Sequence, residues 1–321
     1  ALMEHPNIAH VLNAGATETG RPFFVMELVH GVRITTYCDE NRLNIHERLK
    51  LFIQVCHAIQ HAHQKGIIHR DIKPSNVLIT LHDRAPVPKV IDFGIAKATK
   101  SDLLGDVTFH TTAEPFIGTP AYMSPEQADY AHMDIDMRTD IYSLGALLYE
   151  LLCGRPPFDQ KELMKAGLDQ MRRTLQTTEP PRPSQRILEL SPEERHEMTQ
   201  KYGLDARRLS TLLGSEIDWI VMKAMEKDRE RRYETTDSLA TDVQRFIDNE
   251  PVMARPPSRV YRLQKLVRRN RASFVGVSVV TLALVASATV STRMFFRERA
   301  ARLEQERLRI EQARLHKAEV D

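Results

Sequence analysis

The sequence predicts an α+β fold: a mostly helical globular unit with a small β component, followed by a single transmembrane helix. Two apolar or amphipathic stretches of helical length, at 44–66 and 140–154, predict the helical part. Short β-like runs around them predict the sheet, and 20 uncharged residues at 273–292 predict the membrane helix. With 321 residues, of which 42% are apolar, the chain is long enough to bury a full core.

Net charge and cysteine usage narrow the function classes. The chain has 45 basic and 43 acidic residues, a net charge of +2, so no overall polycation points to nucleic acid. Its three cysteines, Cys38, Cys56 and Cys153, are widely spaced and form no CxxC or Cys/His cluster. We therefore interpret them as reduced core thiols, and we expect the globular unit to face a reducing compartment.

The clearest helix is predicted between Asn44 and Gly66. Asn44 and Glu47 have the spacing of an N-terminal capping box, and Gly66 is placed to end the helix. The apolar residues of one face recur at a period of 3.6: they are Leu49, Phe52, Ile53, Cys56 and Ile59. This pattern indicates an amphipathic helix with one buried face.

The other elements of the globular unit follow from shorter patterns. The β-like runs lie at 23–28, 66–69, 76–80 and 88–92. The helix at 140–154 is apolar nearly all round, so we expect it in the middle of a helical lobe. Residues 159–216 are polar, rich in Pro around "TEPPRPS" and without clear periodicity. We interpret them as an insertion-like segment with some surface helix.

The segment 273–292 is predicted to span a membrane. At ~1.5 Å per residue it reaches roughly 30 Å, the hydrocarbon thickness of a bilayer. Seven of its 20 residues are Ser or Thr, so a buried globular helix is the alternative. Seven basic and no acidic residues lie between Pro251 and Arg271, as the positive-inside rule expects of a cytoplasmic flank. The far side is also rich in Arg, so charge alone leaves the orientation open.

The stretch "HRDIKPSN" carries the residue types that phosphoryl transfer needs. Asp71 and Asn76 are predicted on a loop between a helix and a strand, and "VIDFG" places Asp92 at the end of an apolar strand. A carboxylate must orient the incoming hydroxyl and accept its proton, a cation must neutralise the moving phosphoryl group, and oxygen ligands must hold Mg²⁺. Asp71, Lys73 and the pair Asn76 with Asp92 fit these roles in that order. Each residue alone is also typical of a turn or a cap.

These motifs resemble those of eukaryotic-type (Hanks-type) Ser/Thr protein kinases, and the chain resembles their bacterial membrane-anchored members. The resemblance covers residues 1–249 and implies a protein-kinase-like fold, with a mostly helical C-lobe and a partial β-rich N-lobe. "GTPAYMSPEQ" matches the substrate-docking segment, in which "SPE" stands where the family usually has APE. Lys73 and Thr119 are the Ser/Thr-class choices, and Thr119 is expected to contact Asp71 and Lys73.

Further site residues are implied only by this resemblance. In "DIYSLG", Asp140 is expected to brace the catalytic-loop backbone. In "RRYET", Arg232 is expected to pair with Glu126 of the docking segment.

A separate prediction follows from the residues themselves: because Arg70 directly precedes Asp71, phosphate on the loop between Asp92 and Glu126, at Thr111 or Thr112, is expected to pair with Arg70. The alternative is a flexible polar loop.

The front of the chain resembles the hinge region of the family. "FFVMELVHG" resembles the strand that leads into the hinge between the lobes. By this resemblance Met26 lies at the back of the nucleotide pocket, the backbones of Glu27 and Val29 bond the adenine edge, and Leu78 packs beneath the ring. Without the resemblance, these residues are equally typical of core packing.

The resemblance also implies a division of the chain. We expect a partial N-lobe and hinge at 1–28, a C-lobe at 29–249, a basic juxtamembrane linker at 250–272, the membrane helix at 273–292 and a charged helical segment at 293–321. The family's Gly-rich loop and ATP-binding Lys belong before residue 1. We therefore expect an amino-terminally truncated kinase that is inactive by itself.

The implied function is a membrane-tethered signalling kinase. It would use ATP and Mg²⁺, with Mn²⁺ as an alternative, to phosphorylate Ser or Thr of protein substrates from a cytoplasmic lobe. The alternatives are a pseudokinase or membrane scaffold, and a receptor with a sensor beyond the membrane helix. The Leu and Ile content of residues 293–321 falls short of a coiled coil, so dimerisation is left open.

Overall fold

A computed structural model of the protein describes residues 4–18, 22–93, 119–128, 135–214, 216–256, 265 and 271–318. The chain divides into two compact units, Ala1–Ser258 and Arg259–Asp321, which are described separately.

The first unit contains two small antiparallel sheets. Strands β1 (Val11–Ala16) and β2 (Pro22–Met26) form one, in a register that runs from Val11 opposite Met26 to Ala16 opposite Pro22. Strands β3 (Val32–Arg33), β4 (Val77–His82) and β5 (Ala85–Val90) form the other, in the order β3-β4-β5. The predicted runs at 23–28, 76–80 and 88–92 overlap β2, β4 and β5.

The predicted β-like run at 66–69 is wrong. These residues form the turn after the first long helix and then an irregular loop. Ile67 N–H donates to the carbonyl of Ala62, and His69 N–H donates to the carboxylate of Asp140. Because helix-end and side-chain acceptors take these donors, the segment has no need of a strand partner.

The helix predicted between Asn44 and Gly66 is confirmed. Helix α1 (Ile34–Glu40) precedes it, and α2 (Ile45–Gln64) has the predicted capping box, in which Asn44 accepts from the N–H of Glu47 and Glu47 accepts from the N–H of Asn44. The five predicted face residues are all buried. Gly66 has a φ of +73°, a conformation that disfavours any side chain and ends the helix.

The core of the helical lobe is built around α4. Helix α3 (Pro125–Ala128) precedes α4 (Arg138–Cys153), which is buried over nearly its whole length, as the sequence predicts for a central helix. The segment 159–216, which shows no clear periodicity, contains α5 (Gln160–Lys165), α6 (Leu168–Thr177), α7 (Pro183–Leu188), α8 (Pro192–Tyr202) and α9 (Ala206–Leu213). Leu175, Ile187 and Leu209 are fully buried, so these helices contribute to the core.

The lobe ends with α10 (Ile217–Ala224), α11 (Thr236–Ile247) and a short docked tail. The buried carboxylate of Asp242 accepts the N–H groups of Met253 and Ala254, at 2.6 and 2.8 Å. Val252 is buried in the core. The first residues of the expected linker are therefore held on the lobe.

The second unit is dominated by the 48-residue helix α12 (Arg271–Ala318). Within the described residues, one stretch of this helix, Val279–Arg307, is long and apolar enough to cross a membrane by its length and composition. This stretch overlaps the predicted span at 273–292 without coinciding with it.

Candidate active site

A loop with a left-handed residue carries the candidate catalytic group. Arg70, which immediately precedes Asp71, has a φ of +63°. The fully buried carboxylate of Asp140 on α4 accepts the N–H of His69 and the N–H of Arg70, each at 2.8 Å. His63 of α2 contacts the same carboxylate at 2.7 Å. These bonds hold the loop in a backbone conformation that non-Gly residues rarely adopt.

Asp71, Lys73 and Asn76 are in direct contact. Lys73 Nζ lies 2.8 Å from Asp71 Oδ2, and both side chains are 22% exposed. Asn76 Nδ2 donates to the same oxygen at 3.1 Å and to the backbone carbonyl of Asp71 at 2.8 Å. The Asp71 carboxylate is therefore oriented by two donors and remains reachable from solvent.

His69 is a site residue that sequence reasoning missed. Its Nδ1 accepts the N–H of Asp71 at 3.3 Å, so the ring proton lies on Nε2, which donates to the carbonyl of Ile91 at 3.1 Å. Complete burial lowers the pKa of His69 and favours the neutral ring, although Asp140 and Asp71 act in the opposite direction. The sequence signal that could have identified His69 is its position directly before Arg70 and Asp71, two residues that the sequence analysis had singled out.

The two expected metal ligands lie on neighbouring backbone segments. The N–H of Ile91 donates to the carbonyl of Asn76 at 2.9 Å, and the exposed Asp92 follows Ile91 with a φ of +56°. Among the described residues, no group of three or more His, Cys, Asp or Glu side chains is placed to hold a metal ion. One amide and one carboxylate oxygen fit Mg²⁺, which usually takes few protein ligands and is completed by water and phosphate oxygens.

The hinge residues Met26, Glu27 and Val29 lie at the end of β2 and in the chain segment that leads to β3. Glu27 N–H donates to the carbonyl of His10 at 2.9 Å, and the Glu27 carboxylate accepts from His10 N–H at 3.1 Å. Lys89 Nζ lies 3.2 Å from the same carboxylate. The bond from His10, opposed by burial and supported by Lys89, lowers the pKa of Glu27. These contacts fix the hinge, with Met26 and Val29 half-buried beside Glu27.

The expected adenine floor is on β4. Leu78 is half-buried and stands opposite Lys89 in the pairing of β4 with β5. Lys89 therefore bridges from the strand beside Leu78 to the hinge residue Glu27. A Cβ added at Gly31 would lie 2.8 Å from the carbonyl oxygen of Ile79 and 3.1 Å from Leu78 Cβ, so Gly31 permits close approach of the post-hinge chain to β4.

The docking segment is anchored by a bidentate ion pair. Arg232 donates to Glu126 Oε1 at 2.7 Å and to Oε2 at 2.8 Å, and Thr139 also donates to Oε1 at 2.8 Å. Burial would raise the pKa of Glu126, but the bonds and charge of Arg232 hold it below the ordinary value. Thr139, on α4, is a partner that sequence reasoning did not identify.

The structure brings Thr119 to the same small cavity as Asp71 and Lys73. Tyr122 and Ser143 also line this cavity. The predicted contact of Thr119 with the Asp71–Lys73 pair stays a prediction. Thr111 and Thr112 lie outside the described residues, so their expected pairing with Arg70 is also untested.

The helical lobe, the small sheets and the loop that carries Asp71, Lys73 and Asn76 together have the architecture of a protein kinase. Residues 1–243 match the protein kinase domain family. The chain belongs to the protein kinase family. Protein kinases as a family use ATP with a divalent metal ion and act on protein substrates.

Two bacterial relatives are similar in sequence to this chain. Serine/threonine-protein kinase PknB of Mycobacterium tuberculosis is 35% identical over 255 residues, which are 78% of this chain and 35% of that protein. The probable serine/threonine-protein kinase SCO3848 of Streptomyces coelicolor is 35% identical over 260 residues, 79% of this chain and 33% of that protein. The chain therefore spans about a third of the length of these curated relatives.

The likeness to a solved structure concerns the fold. A double mutant of the Mycobacterium tuberculosis PknI kinase domain aligns with a TM-score of 0.51 and 23% identity, over 76% of this chain and 73% of that one.

Proposed function

We propose that this chain is the catalytic part of a membrane-tethered Ser/Thr protein kinase, which transfers the γ-phosphoryl group of ATP to Ser or Thr hydroxyls of proteins. The observation that carries the proposal is the contact of Lys73 and Asn76 with the Asp71 carboxylate, on a loop braced by Asp140. A scaffold that only binds partners would not require this arrangement of three polar side chains.

Each residue has a proposed task. Asp71 orients the substrate hydroxyl and accepts its proton, and Asn76 keeps the Asp71 carboxylate in place. Lys73 Nζ, already 2.8 Å from Asp71, supplies positive charge next to the transferring group. Thr119, which lines the same cavity, contacts Asp71 and Lys73.

Nucleotide and metal are assigned to the neighbouring elements. The backbones of Glu27 and Val29 bond the adenine edge, with Met26 behind the ring and Leu78 beneath it. Asn76 and Asp92 are the residues that would hold Mg²⁺, with Mn²⁺ as the alternative. A bound divalent ion would neutralise charge on the phosphates.

The function is tested in the full-length natural polypeptide that contains these 321 residues. Asp71→Asn should leave nucleotide binding nearly intact and lower turnover by about 10²- to 10⁴-fold, the contribution of a positioned base. Asp92→Asn should weaken Mg·ATP binding as well as turnover. Radiolabelled phosphate transfer to a generic protein substrate and ATP titration measure the two effects.

The matched control for this test is Asp83→Asn, in the exposed turn between β4 and β5. This variant should retain both turnover and ATP affinity. Full activity of Asp71→Asn would remove Asp71 from the mechanism. Absence of transfer by the unmodified protein, with partner binding intact, would favour the scaffold.

We also propose control by phosphorylation of the loop that precedes the docking segment, at Thr111 or Thr112. A phosphate there would pair with Arg70, whose backbone is already held beside Asp71. Phosphopeptide mapping of the active full-length protein should find occupancy at one of these residues. Full activity with no phosphate anywhere on residues 94–118 would exclude this control.

We also propose the division of the chain into a partial N-lobe and hinge (1–28), a C-lobe (29–249), a juxtamembrane linker (250–272), a membrane helix (273–292) and a charged helical segment (293–321). The proposal includes an orientation of the chain across the membrane. Because ATP is a cytoplasmic substrate, the lobe lies inside and residues 293–321 lie on the far side. Because basic residues flank the membrane helix on both sides, this orientation depends on the cytoplasmic location of ATP and not on the flanking charge.

A further inference from the structure

One hydrogen bond joins the docking segment directly to the loop that carries Asp71. Gln127 Nε2, on α3, donates to the backbone carbonyl of Arg70 at 2.8 Å. The two residues are 57 positions apart in the sequence. Neither the Asp140 brace nor the Arg232 anchor includes this contact.

The bond acts on the peptide plane that belongs to Asp71. The carbonyl of Arg70 and the N–H of Asp71 are parts of one planar peptide unit. Gln127 fixes the carbonyl end of this unit, and His69 Nδ1 accepts from its N–H end at 3.3 Å. Rotation of the plane would break both bonds and would redirect the Asp71 side chain.

The orientation of the Gln127 amide is set by Ser124. Gln127 Oε1 accepts the N–H of Ser124 at 3.2 Å and its hydroxyl at 3.3 Å. Because the amide oxygen is occupied by these two donors, the NH₂ group faces Arg70. Ser124 is fully buried, so water does not compete for its hydroxyl. An Ala at this position, the usual residue of the family motif, would supply the backbone donor alone.

We propose that Ser124 and Gln127 are positioning residues for Asp71, which transmit the placement of the docking segment to the catalytic loop. The proposal rests on the proposed kinase function and assigns a task to the Ser and the Gln of the "SPEQ" motif. We call the contacts from Ser124 through Gln127 to the carbonyl of Arg70 the relay. Glu126 lies between Ser124 and Gln127 in the chain and is anchored by Arg232, so the segment that carries the relay is held in place. The peptide unit before Asp71 is then correctly oriented only when the docking segment is in place.

The test compares variants of the full-length natural polypeptide. Gln127→Met keeps the length of the side chain and removes the donor, so kcat should fall about tenfold, as expected for the loss of one partly buried hydrogen bond. The KM for ATP should stay within twofold, because the hinge is not touched. Ser124→Ala should lower kcat by a smaller factor, roughly threefold, since the backbone donor remains.

The double variant Ser124→Ala/Gln127→Met identifies the relay. If Ser124 acts through Gln127, the double variant should be no slower than Gln127→Met alone. Gln185→Met is the matched control, because Gln185 also uses its side-chain amide on a backbone group, the N–H of Arg182, in an exposed helix cap. Its kcat and KM should match those of the unmodified protein. Multiplicative losses in the double variant would overturn the relay.

A readout that does not depend on activity separates this proposal from the kinase function. Amide hydrogen exchange at Asp71 should be at least tenfold faster in Gln127→Met than in Gln185→Met, because the peptide plane has lost one of its two partners. Unchanged exchange and a kcat within twofold of the unmodified protein would overturn the positioning role. Inactivity of the unmodified protein would instead contradict the proposed function, and the exchange result would still decide the role of Gln127.

Discussion

At the scale of single residues, the conformation of the catalytic loop depends on one fully buried carboxylate, that of Asp140. The Asp140 carboxylate is completely buried, and it bonds to the ring of His63 and to the backbone N–H groups of His69 and Arg70. A non-Gly residue in the left-handed region costs of order 1 kcal/mol or more. A charge-assisted hydrogen bond contributes about 1.5–3 kcal/mol, so the bond from Asp140 to the N–H of Arg70 is strong enough to offset that cost.

The buried ring of His69 predicts a pH dependence of stability. Burial lowers the pKa of His69 below the ordinary value of 6.5. At a pH below about 6.5, His69 therefore binds fewer protons in the folded chain than in the unfolded chain. The neutral His69 ring contributes its full share to the free energy of unfolding above about pH 6.5, and this share decreases as the pH falls below that value. The difference in unfolding free energy between the unmodified protein and His69→Gln should therefore shrink from pH 7.5 to pH 5.

Urea denaturation across this pH range makes the measurement. The control is His196→Gln, which removes an exposed histidine of α8 instead of a buried one. Equal pH slopes for the unmodified protein and His69→Gln would show that the ring is not held neutral by burial.

At the scale of elements, one ion pair fastens α3 to the end of the lobe. The Arg232 side chain is fully buried, and that of Glu126 is 15% exposed. Arg232 also donates to the carbonyls of Glu226, Lys227 and Arg138. The guanidinium therefore links the docking segment, the start of α4 and the chain after α10.

Arg232→Met should destabilise the lobe by about 3–5 kcal/mol, because it leaves the Glu126 carboxylate buried without its cation. Urea denaturation gives this value. The double variant Arg232→Met/Glu126→Leu should recover part of the loss, since no unpaired charge remains. Arg138→Met is the control: its partner Glu230 is 67% exposed, and such pairs contribute about 1 kcal/mol or less. A similar loss of unfolding free energy in Arg232→Met and Arg138→Met would show that the buried Arg232–Glu126 pair is no more important for stability than the exposed Arg138–Glu230 pair.

At the scale of the whole molecule, the chain combines a helical lobe with one long helix. We expect Arg309→Cys, at an exposed position of α12 past the candidate span Val279–Arg307, to react with a membrane-impermeant maleimide in intact cells that express the full-length polypeptide. Cys38, Cys56 and Cys153 are buried, and burial raises their thiol pKa values, so background labelling should be low.

The control for this orientation is Asp169→Cys, at an exposed position of α6 in the lobe. It should be labelled only after the membrane is permeabilised. The opposite pattern for the two positions would reverse the orientation. Equal labelling of both in intact cells would argue against a membrane-separated arrangement.

The sequence by itself determined the elements whose signals are local. The buried face and capping box of α2, the apolar helix α4 and the grouping of Asp71, Lys73 and Asn76 all follow from residues within a few turns of one another. Periodicity and short spacings report such features, because the interacting groups are close along the chain. Arg232 with Glu126, 106 positions apart, was predicted from the resemblance to a family and not from a local pattern.

The tertiary structure alone decided which distant groups meet. Residues 66–69 look like a strand, yet their donors go to Ala62 and to Asp140, which is 71 positions from His69. Helices α5 to α9 have only 6 to 11 residues each, so a period is hard to recognise in the sequence of any one of them, although their few buried residues reach the core. The bond from Gln127 to Arg70 has no local signal at all. The bond forms only when folding brings together two groups that are 57 positions apart and partly shields them from water, so no short stretch of sequence predicts it.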